Sequence, residues 1–307
     1  MSPLRSRTAA ANEAVLRLNP NMAGLQLEGT TSMGHPFLAA ARRGDVAEIR
    51  RLLAAGVSAD LASESRNAPH INGWIHTWPQ RSALFYASGG MNFGSPTGEI
   101  VRPTEENQEA CVVALLRAGA SPNPPGTPAL HGAATYGHAR IIKLLLEAGS
   151  NPRTPNYLGT TPLHYAAVKC PQCVQLLLAA GAEVDAKCQD RDRQTGNFTG
   201  PYWTPLDRAI ERGRINDRPQ DRMLHRVYPL LLRAGAAFPR HSWDAVPAHL
   251  RRQRFSYLTQ IQRAGSFAAY EKKHTDALVA IFAPKFPHLN ADVVRHIMKL
   301  WAHCGYY

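Results

Sequence analysis

The stretch "PALHGAATYGHARIIKLLLEAG", residues 128–149, returns as "TPLHYAAVKCPQCVQLLLAAG" at residues 161–181. His131 and His164 stand 33 residues apart, and each begins the same series: small residues, a turn, a leucine-rich run, a glycine. A self-similar period of roughly 20–50 residues marks a stacked-repeat architecture and takes precedence over shorter-range readings. With the pattern in hand, further copies emerge: "HPFLAAARRGDVAEIRRLLAAG" at 35–56, "SALFYASGG" with "NQEACVVALLRAG" inside 82–119, and "TPLDRAIERGRIND" with "VYPLLLRAG" inside 204–235. The closing glycines fall at 56, 119, 149, 181 and 235.

Each unit has a physical grammar. A Thr-Pro pair opens a helix, because the hydroxyl caps free amides and proline suits a first position that has no amide to satisfy. The Ala-Ala pair allows close helix packing. Gly44, Gly137 and Gly213 stand where the first helix must stop and the chain reverse, a left-handed position that glycine adopts cheaply. A second helix then buries its leucines. A lone pair of this kind cannot cover its apolar faces, whereas stacked pairs cover each other. The expectation is an all-α solenoid of about five helix pairs over residues 35–239.

This grammar resembles that of the ankyrin repeat, most clearly in "TPLHYAA" (161–167), "YGHARIIKLLLEAG" (136–149) and "RGDVAEIRRLLAAGVSAD" (43–60). The resemblance implies a non-catalytic protein-binding scaffold whose units are joined by finger loops. Gly149 reaches the next Thr-Pro in 12 residues, but Gly56 to Ser82 takes 26 and Gly181 to Thr204 takes 23. Two fingers are therefore enlarged. Inserts are placed near 61–81, 89–106, 187–203 and 214–226, and long insertions on repeat proteins often map to one functional face. Residues 1–34 read as a flexible extension.

Beyond residue 239 the grammar fades. "HLRRQRFSYLTQIQRAG" (249–265) ends in Arg-Ala-Gly, 30 residues after the same triplet at 233–235, and reads as a degenerate unit capping the stack. "SFAAYEKKHTDALVAIFA" (266–283) has helical spacing, and "PKFP" breaks it. "NADVVRHIMKLWAHCG" (290–305) is a last helix, with Asn290 as cap, Gly305 as stop, and Val293, Val294, Ile297 and Trp301 spaced for one face. "FPHLNADVVRHIMKLW" resembles the first helix of an F-box, which would make the chain a ubiquitin-ligase adaptor. The Leu-Pro start of that box is absent, and the rival expectation is a helix that closes the stack.

Composition narrows the classes. Hydrophobic residues at 44% can fill a continuous core, and no run approaches the ~20 apolar residues of a membrane helix. The N-terminal segment has no apolar core for secretion, and five cysteines show no disulfide framework, so a cytoplasmic or nuclear monomer is expected. The net charge is +12, and residues 240–307 hold ten Lys/Arg against four Asp/Glu. Such a tail attracts acidic proteins, RNA, DNA or anionic membranes alike. It lacks the aromatic platform or recognition motif that nucleic-acid binding would need. The expected partner is a protein, acidic by charge complementarity.

Aligned on the Ala-Ala pair, Cys170 takes the place of Gly137 and Pro171 that of His138, in a unit one residue short. Cys173 matches Ile141, a core position that cysteine fills as a small hydrophobe. Zinc would require two more ligands, and the recruits would be Cys188 and His164, the latter already part of the repeat. The pair reads as architecture, with Cys170 the more reactive thiol. "DRDRQTG" (190–196) lacks the third acid and the glutamate of a calcium loop. No nucleophile, base and orienting group occur together, so no catalytic residue, cofactor or metal ligand is assigned.

The ankyrin resemblance instead implies binding at the residues just after the Ala-Ala pair: Arg42 and Arg43, Thr135 and Tyr136, Val168 and Lys169, Glu211 and Arg212. It also implies binding at the fingers, where Trp74, Trp78, Tyr157, Leu158, Tyr202 and Trp203 stand. Aromatic residues and arginine dominate binding hot spots.

Overall fold

The structure is a computed structural model that describes residues 30–31, 35–63, 66–69, 75–78, 80–89, 103–124, 126, 128–156, 158–191, 198–215, 224–238 and 243–303. Five helix pairs follow one another. They are α1 (Pro36–Arg43) with α2 (Val46–Ala54), α3 (Ala83–Ala87) with α4 (Glu105–Arg117), and α5 (Ala129–Tyr136) with α6 (Ala139–Glu147). After them come α7 (Pro162–Ala167) with α8 (Pro171–Ala179), and α9 (Pro205–Ile215) with α10 (Leu224–Arg233). First helices pack in the order α1, α3, α5, α7, α9, and second helices form a parallel layer α2, α4, α6, α8, α10. The fold is the expected all-α repeat stack.

The repeat explains the core. Four residues before each closing glycine stand Leu52, Leu115, Leu145, Leu177 and Leu231, none more than 1% exposed. Ahead of each Ala-Ala site or its equivalent stand Phe37, Leu84, Leu130, Leu163 and Leu206, all fully buried. Burying one such side chain stabilises by about 1.5–3 kcal/mol, so the register of the repeat is strongly fixed. One cluster runs without a break from Phe37 to Ile261.

Helix starts are built as the sequence predicts. Ser82 Oγ accepts from the Phe85 amide at 3.2 Å, and Thr204 and Asp207 cap each other, hydroxyl to carboxylate at 2.7 Å. Gly44 and Gly137 adopt φ of 69° and 80°, the expected left-handed turns. Gly213 does not. It lies inside α9, and its role is room: a Cβ there would sit 3.0 Å from the Tyr228 hydroxyl and 3.2 Å from the Phe255 ring. In the fourth unit the turn runs through Val168 (φ −100°) to Cys170 (φ −148°), so the shortened turn needs no left-handed residue.

Both long fingers contain antiparallel hairpins. β3 (Arg66–Pro69) pairs with β4 (Ile75–Trp78), and β5 (Cys188–Arg191) pairs with β6 (Phe198–Trp203) across an irregularity near Cys188. Thr30 and Thr31 of the N-terminal segment are among the described residues. β1 (Thr30–Thr31) runs parallel to β2 (Ala62–Ser63) at the base of the first finger, whereas the sequence reading had residues 1–34 as flexible throughout. The inserts at 90–102 and 216–223 lie outside the described residues.

The tail divides in two. Trp243, Val246, Phe255, Leu258 and Ile261 join the main core, carried by α11 (Ala248–Arg254), α12 (Ser256–Ala264) and the loop before them. Phe255 seats this segment, the stretch expected to cap the stack, by packing on Tyr228 and Trp243. Next, α13 (Phe267–Phe282), capped by Ser266, packs on α12, and α14 (Ala291–His303), capped by Asn290, packs on α13. Val294 and Met298 meet Val279 in a second, small cluster. The single apolar face expected on α14 is thereby split: Val293 and Ile297 point outward, 45% and 42% exposed. One neighbouring helix has room for one stripe of α14, so the adjacent stripe has no cover. Among the described residues no helix is long and apolar enough to cross a membrane.

Candidate functional site

The helix–turn–helix tips of successive units form one edge of the molecule. A Cβ on Gly44 would sit 2.7 Å from Pro103, one on Gly89 3.1 Å from Tyr136, and one on Gly137 3.3 Å from Cys170 and 3.8 Å from Lys169. The tips of the first four units thus touch in succession, and the residues after their Ala-Ala sites are set along a ridge by the backbone. Because the backbone is fixed by the fold, few side chains need ordering when a partner binds.

Tyr136 is the prominent feature of this ridge. It ends α5, remains 46% exposed, and stacks on His138 with ring centroids 5.9 Å apart and planes 9° from parallel. His138 Nδ1 lies 3.6 Å from a Glu105 carboxylate oxygen. Its pKa is lowered by burial, which outweighs the opposing pull of Glu105, so the ring that supports Tyr136 is neutral. A rigid, half-solvated aromatic is the residue type that dominates interface energetics.

The other expected contacts differ in availability. Arg43 and Lys169 are exposed. Arg42 lies over the Tyr86 ring at 5.8 Å, and the Thr135 hydroxyl donates to the His131 carbonyl at 2.7 Å, so both are engaged within the fold. Val168 and Arg212 are half-buried, and Glu211 pairs with Arg214 one turn on. In the fourth finger Tyr202 is 60% exposed while Trp203 is half-buried under the Arg208 guanidinium, 5.5 Å from its ring. Neighbouring strand residues face opposite sides, so one of the two is free to bind and the other packs. Leu158 is half-buried and its carbonyl accepts from the Gln189 amide at 3.2 Å. Trp78 belongs to β4, and Trp74 and Tyr157 lie outside the described residues.

The repeat histidines are structural. His131 Nε2 donates to the Thr160 carbonyl and His164 Nε2 to the Trp203 carbonyl, each at 3.0 Å, tying one unit to the following finger. The Thr161 amide donates to His164 Nδ1 at 3.1 Å, which fixes the neutral tautomer. Burial, the largest influence, holds both rings down to about 4.

A second ladder escaped the sequence reading. The fourth residue after each closing glycine reaches the next unit's loop. Asp60 accepts from the Ser121 amide at 2.6 Å, Asn123 from the Asn151 amide at 2.8 Å, and Asp185 from the Ala237 amide at 3.2 Å. Arg153, at the same position, donates to the Gly181 carbonyl at 2.7 Å. The signal was present: a polar side chain at glycine plus four in the first four units.

Cys111, Cys173 and Cys188 are buried, and Cys170 is partly exposed. Cys188 accepts from Arg208 at 3.5 Å, and among the described residues no three His, Cys, Asp or Glu side chains converge as metal ligands would.

A scaffold of stacked repeats presenting a shaped edge is the class that fold and site define. Residues 102–188 match the family model described as ankyrin repeats, in three copies, so this part of the chain is built of ankyrin repeats. It is similar to inversin of Gallus gallus, 42% identical over 89 residues, which is 28% of this chain and 8% of that protein. It is also similar to ankyrin repeat and SOCS box protein 3 of Bos taurus, 34% identical over 130 residues, 40% of this chain and 19% of that one. E3 ubiquitin-protein ligase KEG of Arabidopsis thaliana is 31% identical over 130 residues, 38% of this chain and 8% of its own length. The matched region is thus a small part of each of these proteins.

Proposed function

We propose that this protein is a non-catalytic scaffold that captures a protein partner along the ridge of helix tips, centred on Tyr136 and flanked by Arg43 and Lys169. The observation that carries the reading is the exposed, ring-backed Tyr136 on an edge where the tips of the first four units touch in succession. Ankyrin repeats are protein-binding modules, and the cations on the ridge favour a partner with acidic groups. The test is affinity capture from native lysate with wild-type chain and Tyr136→Ala. Loss of specific partners on substitution, with unchanged thermal stability, supports the ridge; an unchanged set of partners refutes it.

A second reading, a ubiquitin-ligase adaptor, is favoured by the uncovered apolar side chains Ile281, Phe286, Leu289, Val293 and Ile297 around the α13–α14 hairpin. Two of the similar proteins carry "ubiquitin-protein ligase" or "SOCS box" in their names. Val293→Asp with Ile297→Asp changes the outward stripe without touching the buried one. The adaptor reading predicts that this pair abolishes ubiquitination of captured partners while capture itself persists.

A further inference from the structure

Cys170 and Cys173 hold the N-cap and third positions of α8, with Pro171 first in the helix. At those two positions side chains meet. In this same chain Thr161 and His164 do so at 3.0 Å, and Thr204 and Asp207 at 2.7 Å. Cys170 and Cys173 occupy the same two positions, one helical turn apart on α8, so their side chains stand beside each other. Its members differ in access: Cys173 is fully buried and Cys170 is partly exposed at the surface of the turn. Gly137 packs closely on Cys170: a Cβ at Gly137 would sit 3.3 Å from the Cys170 Cβ.

We propose that this pair is a dithiol–disulfide site, in which Cys170 attacks a low-molecular-weight disulfide of the glutathione class and Cys173 resolves the product. In the first step the Cys170 thiolate bonds to one sulfur of the small disulfide, and its other half leaves as a thiolate. In the second step Cys173 gives up its proton, its sulfur bonds to that of Cys170, and the second small thiolate departs and takes a proton. Two protein thiols are oxidised, one small disulfide is reduced to two thiols, and the balance closes. The reverse reaction, with excess small thiol, restores the pair.

The electrostatics fit these roles. Cys170 is held down to about 6, chiefly by the Cys173 thiol beside it and further by the Cys173 and Gln172 amides, against burial and the charge of Glu105. Cys173 is pushed up by the neighbouring Cys170 and by burial, as a resolving thiol that ionises second would be. Lys169 precedes Cys170 in the chain and is exposed. Cys111, at the equivalent of Cys173, is pushed up to about 12 by burial and has no partner of this kind at its helix start. At pH 6 about half of Cys170 is thiolate, against well under ~1% for an ordinary thiol. Intrinsic nucleophilicity falls as pKa falls, with a Brønsted slope of about 0.4–0.5, so the net gain at pH 6 is about tenfold.

The experiment treats the full reduced chain with oxidised glutathione and reads the products by intact mass and peptide mapping. Wild type should give the internal Cys170–Cys173 disulfide. Cys173→Val should stop at a mixed disulfide on Cys170, and Cys170→Ala should leave Cys173 a thiol. Cys170 in the Cys173→Val chain, where the thiol neighbour is gone, should also lose most of its tenfold advantage at pH 6. Mixed disulfide on wild-type Cys170 with no internal bond, or a Cys170 rate equal to that of an ordinary thiol at pH 6, overturns the proposal.

Discussion

At the residue scale, the histidines give the firmest prediction. His131 and His164 are neutral and hydrogen-bonded in the fold, and their folded pKa of about 4 lies below the unfolded value of 6.5. The unfolded chain therefore binds more protons as pH falls, and stability is present above pH ~6.5 and lost on the way to pH ~4. By pH 5 each histidine should remove about 2 kcal/mol. Urea midpoints at pH 7 and 5 check this, and His164→Gln should flatten part of the difference.

Gly213 makes an opposite point about reading glycines. Gly→Ala inside a helix ordinarily stabilises by about 1 kcal/mol. Here the new methyl meets Phe255, which is 2% exposed and wedged between Tyr228 and Trp243. Gly213→Ala should cost about 1–2 kcal/mol by overpacking, read as a lowered denaturation midpoint. The sequence assigned this glycine to a turn because its spacing matches Gly137. The ring that requires it arrives from a loop some forty residues later, and no local pattern announces that. Cys173, by contrast, was legible, since its place in the leucine register fixes it as core.

At the element scale, helices were legible and their surroundings were not. Thr-Pro starts, closing glycines and leucine spacing specify α5 to α8 because each signal is local. The fingers were legible only as excess length, since the hairpin pairings depend on contacts between chain segments. The ladder from Asp60 to Asp185 also joins loops across units. Asp185→Ala, which removes the acceptor for the Ala237 amide, should cost about 1 kcal/mol and loosen the junction between the fourth and fifth units. Amide hydrogen exchange at Ala237 should rise in that variant while exchange in α5 stays the same. On α14, periodicity gave a helix but could not say which stripe α13 would cover.

At the scale of the whole molecule, stacking is the source of both stability and display. Each unit is incomplete alone, and one core joins Phe37 to Ile261. The same packing fixes the spacing of helix tips, so a binding edge follows from the repeat itself. Of the aromatic candidates, Tyr136 and Tyr202 are open to solvent, while Trp203 is held under Arg208. The composition of the ridge, and not any catalytic constellation, is what the sequence had to offer about function. The direct test is site-specific photo-crosslinking in native lysate, with a benzophenone side chain placed at 136, at 169, or at 143 on the exposed outer side of α6. The account predicts one partner adduct shared by positions 136 and 169 and absent at 143; an adduct at 143 with none at 136 or 169 would contradict it.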